Sequence, residues 1–174
     1  VLFDDSDMVD LVAKASGIML LEEAFFGSTL RTPHQAYGPT ANPAFEAIIA
    51  TDRQEFKIGK ITIQALHTPG HTMESTTYLI LDENGKKHAI FSGDTLFIGD
   101  VGRPDLAQKA AHMTQEQLAA TLFHSLRDKI MTLPDTVIVY PAHGAGSACG
   151  KNMSKETIST IGNQKATNYA LRAN

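Results

Sequence analysis

Three short stretches of this sequence end in residues that can ligate a metal: Ala65-Leu66-His67-Thr68-Pro69-Gly70-His71, Ala89-Ile90-Phe91-Ser92-Gly93-Asp94 and Ile138-Val139-Tyr140-Pro141-Ala142-His143-Gly144. In each, an apolar run passes into a Gly- or Pro-containing turn that carries a His or an Asp. A strand end holds such a side chain rigidly while its tip faces a cleft. Neutral imidazole and ionised carboxylate bind zinc or non-haem iron, the latter favouring two His and one carboxylate on one face. One such end alone is most simply a turn. Three with the same donor chemistry point to a metal site drawn from His71, Asp94 and His143. The remaining histidines read as structural: His67 as a core or supporting residue at its strand end, His88 in a hairpin, His112 and His124 beside a long helix, His34 in a Pro-containing loop.

The elements that must hold these ends follow from local pattern. Lys60 to His67 alternates Ile61, Ile63 and Ala65 against Thr62 and Gln64, the period of a half-buried strand. Thr77 to Leu81 and Lys87 to Phe91 flank Asp82-Glu83-Asn84-Gly85, whose Asn-Gly supplies the positive φ angles of a tight hairpin. Thr114 to Leu133 predicts a helix, with Thr114 and Gln117 as a capping box, Leu118, Leu122, Leu126 and Ile130 on one face, and Pro134 as the stop. Val137 to Tyr140 reads as a buried strand and Asn163 to Arg172 as a closing helix. Upstream, residues 8–26 suit a helix capped by Asp7, and 27–42 read as loop.

Composition limits the class of protein. The chain has 174 residues, 43% of them hydrophobic, with 15 Lys+Arg against 19 Asp+Glu. That describes a globular chain able to bury a sizeable core, and no cluster of basic residues offers a nucleic acid or an anionic membrane a footprint. Cys149 is the only cysteine, so an intrachain disulfide and a Cys-based structural zinc site are excluded, and a reducing, cytoplasmic setting is expected. The apolar stretch Ile18 to Leu21 stops at Glu22 and Glu23, far short of a membrane span.

Residues from about Ala36 to Arg172 resemble the metallo-β-lactamase superfamily, most closely its persulfide dioxygenase branch, including forms fused to a rhodanese domain. The motifs are His67-Thr-Pro-Gly-His71-Thr, Ser92-Gly-Asp94-Thr-Leu-Phe97, Gly99-Asp-Val-Gly-Arg-Pro-Asp105 and Tyr140-Pro-Ala-His-Gly-Ala-Gly-Ser-Ala-Cys-Gly150. The resemblance implies an α/β fold of the αββα sandwich type, incomplete in its N-terminal half, with residues 36–174 as the superfamily domain and 1–35 as an atypical segment. It implies that His71 and Asp94 ligate iron(II), that zinc is the alternative ion, and that His143 occupies the position of a second-metal ligand in dinuclear relatives. Arg103 then shapes a thiol-substrate pocket with Asp105 as its partner, and Cys149 lines the cleft or fills core space. The implied substrates are dioxygen and a small persulfide such as glutathione persulfide. A zinc thioester hydrolase of the glyoxalase II kind is the second enzyme class. Homodimerisation is a general expectation for such domains.

The superfamily's first motif, His-x-His-x-Asp-His, is absent from this sequence. Three explanations stay open: a missing ligand-bearing segment in a truncated chain that starts at Val1, substitute carboxylates such as Asp5 or Asp7, or a non-catalytic remnant that binds a partner. The undamaged state of the other motifs favours the first.

Overall fold

The computed structural model describes residues 36–37 and 48–172. The predicted helix over 8–26, Asp5, Asp7 and His34 lie outside the described residues. Ala36–Tyr37 (β1), expected within a loop, pairs in parallel with Ile48–Ile49 (β2), so backbone pairing overrides the loop character of the surrounding residues. Six further strands form one sheet in the order of the chain: Glu55–Ile58 (β3), Ile61–His67 (β4), Thr76–Leu81 (β5), Lys87–Gly93 (β6), Ile138–Pro141 (β7) and Ser159–Thr160 (β8). All neighbours are antiparallel except β6 and β7. A parallel pair needs a crossover, and it is supplied by Gln108–Ala111 (α1) and Gln115–Ser125 (α2). This topology places the C-terminal ends of β4, β6 and β7 on one edge of the sheet, because β4 and β6 each run antiparallel to β5 and β7 follows β6.

Alternation along the strands sorts side chains onto two faces, and both are buried. Ile63, Ala65, Tyr78, Ile80, Ala89 and Phe91 cluster on one side. On the other, Leu66, Leu79, Ile90 and Val139 meet Leu122, Leu126 and Ile130 from the crossover, with Ile161 and Leu171 from the C-terminal helices. Leu118, Leu122, Leu126 and Ile130 are each less than 5% exposed, so the predicted apolar face does its expected work. Among the described residues no helix is long and apolar enough to cross a membrane.

Three local expectations need correction. The hairpin does not use positive φ at both turn residues, since only Gly85 has it. Instead the Asp82 carboxylate accepts from the Asn84 and Lys86 amides, both at 2.9 Å, and the register slips at Leu81. A side chain that can bond its own turn replaces one of the left-handed residues. The long helix does not stay α-helical to Leu133: it begins at the predicted capping box but widens into a π-helical turn over Leu126–Ile130. In that turn Lys129 Nζ reaches the His67 carbonyl at 2.6 Å and Asp52 at 2.8 Å. The closing helix is two pieces, Ile161–Thr167 (α3) and Tyr169–Arg172 (α4). Asn168 between them is fully buried and leaves helical geometry; its amide donates to the Asp100 carbonyl at 3.0 Å. A buried loop carbonyl requires a donor, and that requirement outweighs helix continuity.

Candidate metal centre

The turn after β4 is the first wall of the site. His67 ends the strand half-buried, bonds the Met73 carbonyl through Nε2 at 2.7 Å, and donates its own amide N–H to the Asp52 carboxylate. It closes the turn and stays out of the donor cluster. Ser125 Oγ donates to the Pro69 carbonyl at 2.7 Å, and Gly70, at φ +136, would place a Cβ only 2.4 Å from that of Leu122. Helix α2 is therefore seated directly on the turn that carries His71. Thr68, Thr77 and Thr95 share buried hydroxyl contacts of 2.8 and 3.0 Å, which tie this turn to the residue after Asp94.

The β6 and β7 ends are locked together by the Ala142 amide, which donates to the Gly93 carbonyl. As a result Asp94 lies between two imidazoles. His71 Nε2 is 3.2 Å from one carboxylate oxygen, and His143 Nε2 is 3.3 Å from the other. Asp94 Oδ1 is buried and has no hydrogen-bond donor. Burial opposes ionisation of Asp94, but the His71 hydrogen bond, the charges of His71 and His143 and a Cys149 hydrogen bond outweigh it and hold the carboxyl below its usual range.

The tautomer of His71 sharpens the picture. Its Nδ1 lies 3.1 Å from the Arg103 carbonyl, which can only accept, so Nδ1 carries the proton. Nε2 then directs either a lone pair or a second proton at a carboxylate. A cation between them resolves the contact, and anchoring the far nitrogen on a carbonyl is how metal-binding imidazoles are commonly oriented. Two donors about 2.1 Å from a common ion, at angles of about 90–110°, sit about 3.0–3.4 Å apart. The observed 3.2 Å fits that spacing.

Among the described residues, His71, Asp94 and Cys149 form one group whose donor atoms lie within 4.8 Å of one another. His143 approaches Asp94 from the other side and is not in that group. Arg103 and Asp105 meet side by side: Nε bonds one carboxylate oxygen at 3.0 Å, Nη2 bonds the other, and Nη1 reaches the Ala148 carbonyl. His88, His112 and His124 lie outside the group.

The sequence leaves Cys149 either lining the cleft or filling core space, not among the clustered donors, and gives Asp100 no role. Only the run of small residues around Cys149 hinted that its loop could fold tightly onto its neighbours. Asp100 is 1% exposed and accepts from the Val101, Lys151 and Asn152 amides and the Tyr169 hydroxyl, at 2.6 to 2.8 Å. It pins the Gly99–Asp105 segment to the loop carrying Cys149. Burial pushes its carboxyl up, yet these donors hold it below the usual value; the Tyr169 hydroxyl is pushed up to about 12, mainly by burial. Asp100→Asn is expected to cost about 1.5–3 kcal/mol in chemical denaturation, the usual worth of hydrogen bonds to a charged group. The sign of the pH effect follows. A folded value below the unfolded one gives stability that is complete above about pH 4 and lost as pH falls through the folded value. The variant should lack that acid-side decline.

The chain is 30% identical over 120 residues to the mitochondrial persulfide dioxygenase ETHE1 of Homo sapiens, covering 69% of this chain and 39% of that protein. It is 35% identical over 92 residues to the probable hydroxyacylglutathione hydrolase glo2 of Schizosaccharomyces pombe, covering 53% of this chain and 31% of that protein. A crystal structure of a metallo-beta-lactamase from Staphylococcus aureus subsp. aureus COL matches with a TM-score of 0.65 and 37% identity, over 79% of this chain and 38% of that one. The chain thus spans well under half the length of these curated relatives. No family model matches it.

Proposed function

Since the chain belongs to the metallo-β-lactamase superfamily, we propose that it acts as an iron(II)-dependent persulfide dioxygenase on a small persulfide such as glutathione persulfide. The observation that carries this reading is the convergence of His71 and Asp94, from separate strand ends, at the spacing of two ligands to one ion, beside a buried carboxylate oxygen without a donor. His143 stands outside the donor group, which suits a single ion. The match to the dioxygenase also extends over more of the chain than the match to the hydrolase.

Iron(II) in this site supplies affinity for soft sulfur and the redox chemistry that the reaction needs. The chain's own residues position and select. The Arg103 carbonyl fixes the His71 proton on Nδ1, so Nε2 stays available as a donor. Asp94 contributes the negative charge. The Arg103 guanidinium uses three of its five N–H groups on Asp105 and Ala148, which holds it rigid and leaves two for an anionic thiol carrier. The overall reaction takes persulfide, dioxygen and water to thiol, sulfite and two protons, with dioxygen accepting the electrons that leave the terminal sulfur.

A zinc thioester hydrolase is the second reading, favoured by the hydrolase relative and by His143, which lies 3.3 Å from Asp94 and would be a further residue to hold an ion that activates water. Metal analysis combined with an oxygen electrode separates the two. Anaerobic reconstitution with iron(II) is expected to give iron equimolar with the chain, and glutathione persulfide should then drive oxygen uptake matched by sulfite. Zinc retention with cleavage of a hydroxyacylglutathione thioester, and no oxygen uptake, would replace the first reading with the second.

A further inference from the structure

We propose that Cys149 supplies a thiolate ligand to the ion held by His71 and Asp94, so that this chain offers a nitrogen, oxygen and sulfur donor set of its own. The inference rests on the metal-site part of the reading above and not on the reaction.

Three observations carry it. First, the Cys149 sulfur shares the 4.8 Å donor group with His71 and Asp94. A zinc-type ion binds sulfur at about 2.3 Å and nitrogen or oxygen at about 2.1 Å, so ligands on opposite sides of one ion lie about 4.4 Å apart and adjacent ones closer. Adjacent ligands of a tetrahedral ion lie about 3.6 Å apart, so donors within 4.8 Å of one another need a closure of little more than an ångström at most, shared among three side chains. Second, one residue registers the two loops. The Arg103 carbonyl anchors His71, the Arg103 amide donates to the Cys149 carbonyl at 3.1 Å, and its guanidinium donates to the Ala148 carbonyl at 3.2 Å. The Cys149 amide bonds Ser147 Oγ at 3.1 Å, so the peptides on both sides of the cysteine are held. Third, the Asp94 carboxylate that faces His71 through one oxygen has its other oxygen buried and without a hydrogen-bond donor, and a buried carboxylate in that condition calls for a cation.

The chemistry is complementary. The Cys149 thiol lies in one donor group with Asp94, so its proton stands near the place a cation would take. Binding of a divalent ion releases that proton to solvent and forms the metal–sulfur bond, with no change of oxidation state. A thiolate also shifts selectivity toward zinc, cobalt and iron and away from magnesium and calcium.

Cobalt(II) titration of the full chain, under anaerobic conditions, tests this by absorption. A thiolate ligand gives an intense near-ultraviolet sulfur-to-cobalt charge-transfer band, and its origin is unambiguous because the sequence holds a single cysteine. The wild type is expected to show the band. Cys149→Ser should lose it and bind cobalt at least about tenfold more weakly, the lower end of what removing even a supporting residue costs. Cobalt bound in a His71-dependent manner without the band in the wild type overturns the inference and leaves the metal site standing. Equal cobalt affinity in Cys149→Ser overturns it as well, and absence of cobalt binding removes both. The band together with absent persulfide oxidation upholds the inference and removes the dioxygenase reading.

Discussion

Asp94→Asn and His71→Ala are each expected to strip the protein of its metal, with affinity falling about 100-fold or more. Asn preserves the shape of Asp94 but removes the charge that a divalent ion needs, and its NH2 would replace one of the two oxygens that face the imidazoles 3.2 and 3.3 Å away. Removing a residue that merely supports a ligand costs about 10–100-fold, so removing a ligand costs at least the upper end. His71→Ala deletes the nitrogen donor and also leaves the Arg103 carbonyl without its partner, which adds about 1–3 kcal/mol of lost stability if water does not replace the bond. Equilibrium dialysis against iron(II) or cobalt(II), with circular dichroism to confirm folding, reads both effects. Retention of wild-type metal affinity in the two folded variants would defeat the assignment of this site.

Gly102→Ala should damage the same centre from behind. A Cβ at that position would lie 1.9 Å from the Asp94 carbonyl oxygen and 2.9 Å from the His71 Cβ. Neither neighbour is the far end of a flexible chain, so the backbone must move. Overpacking of this kind typically costs about 1–3 kcal/mol. The displacement acts on the two donor-bearing segments at once, and it adjoins Arg103, whose backbone anchors both His71 and Cys149. The expected result is a lowered denaturation midpoint accompanied by weakened metal binding. A variant that is destabilised yet binds metal as the wild type does would show that the segment packs against the site without positioning it.

Much of the local structure was legible in advance. The capping box at Thr114, the four buried apolar positions that follow it and the alternation along β4 all stand where residue type and spacing put them. These features depend on contacts within a few residues. The failures share a cause. The widened turn at Leu126–Ile130 is held where Lys129 meets a carbonyl 62 residues away, and the break at Asn168 serves a carbonyl 68 residues away. No local pattern records a demand that arises at such a distance.

The same division runs through the site. The types of its donors, their place at the ends of apolar runs and the presence of one cysteine are properties of the sequence, since they follow from side-chain chemistry and the period of a strand. That the three strand ends share one edge was decided by topology: β4 and β6 flank an antiparallel β5, and the crossover returns β7 parallel to β6. That Cys149 joins His71 and Asp94 was decided by Arg103 and Asp100, whose hydrogen bonds reach between loops 45 to 52 residues apart. A hydrogen bond of that span needs the whole chain folded before either partner can find the other.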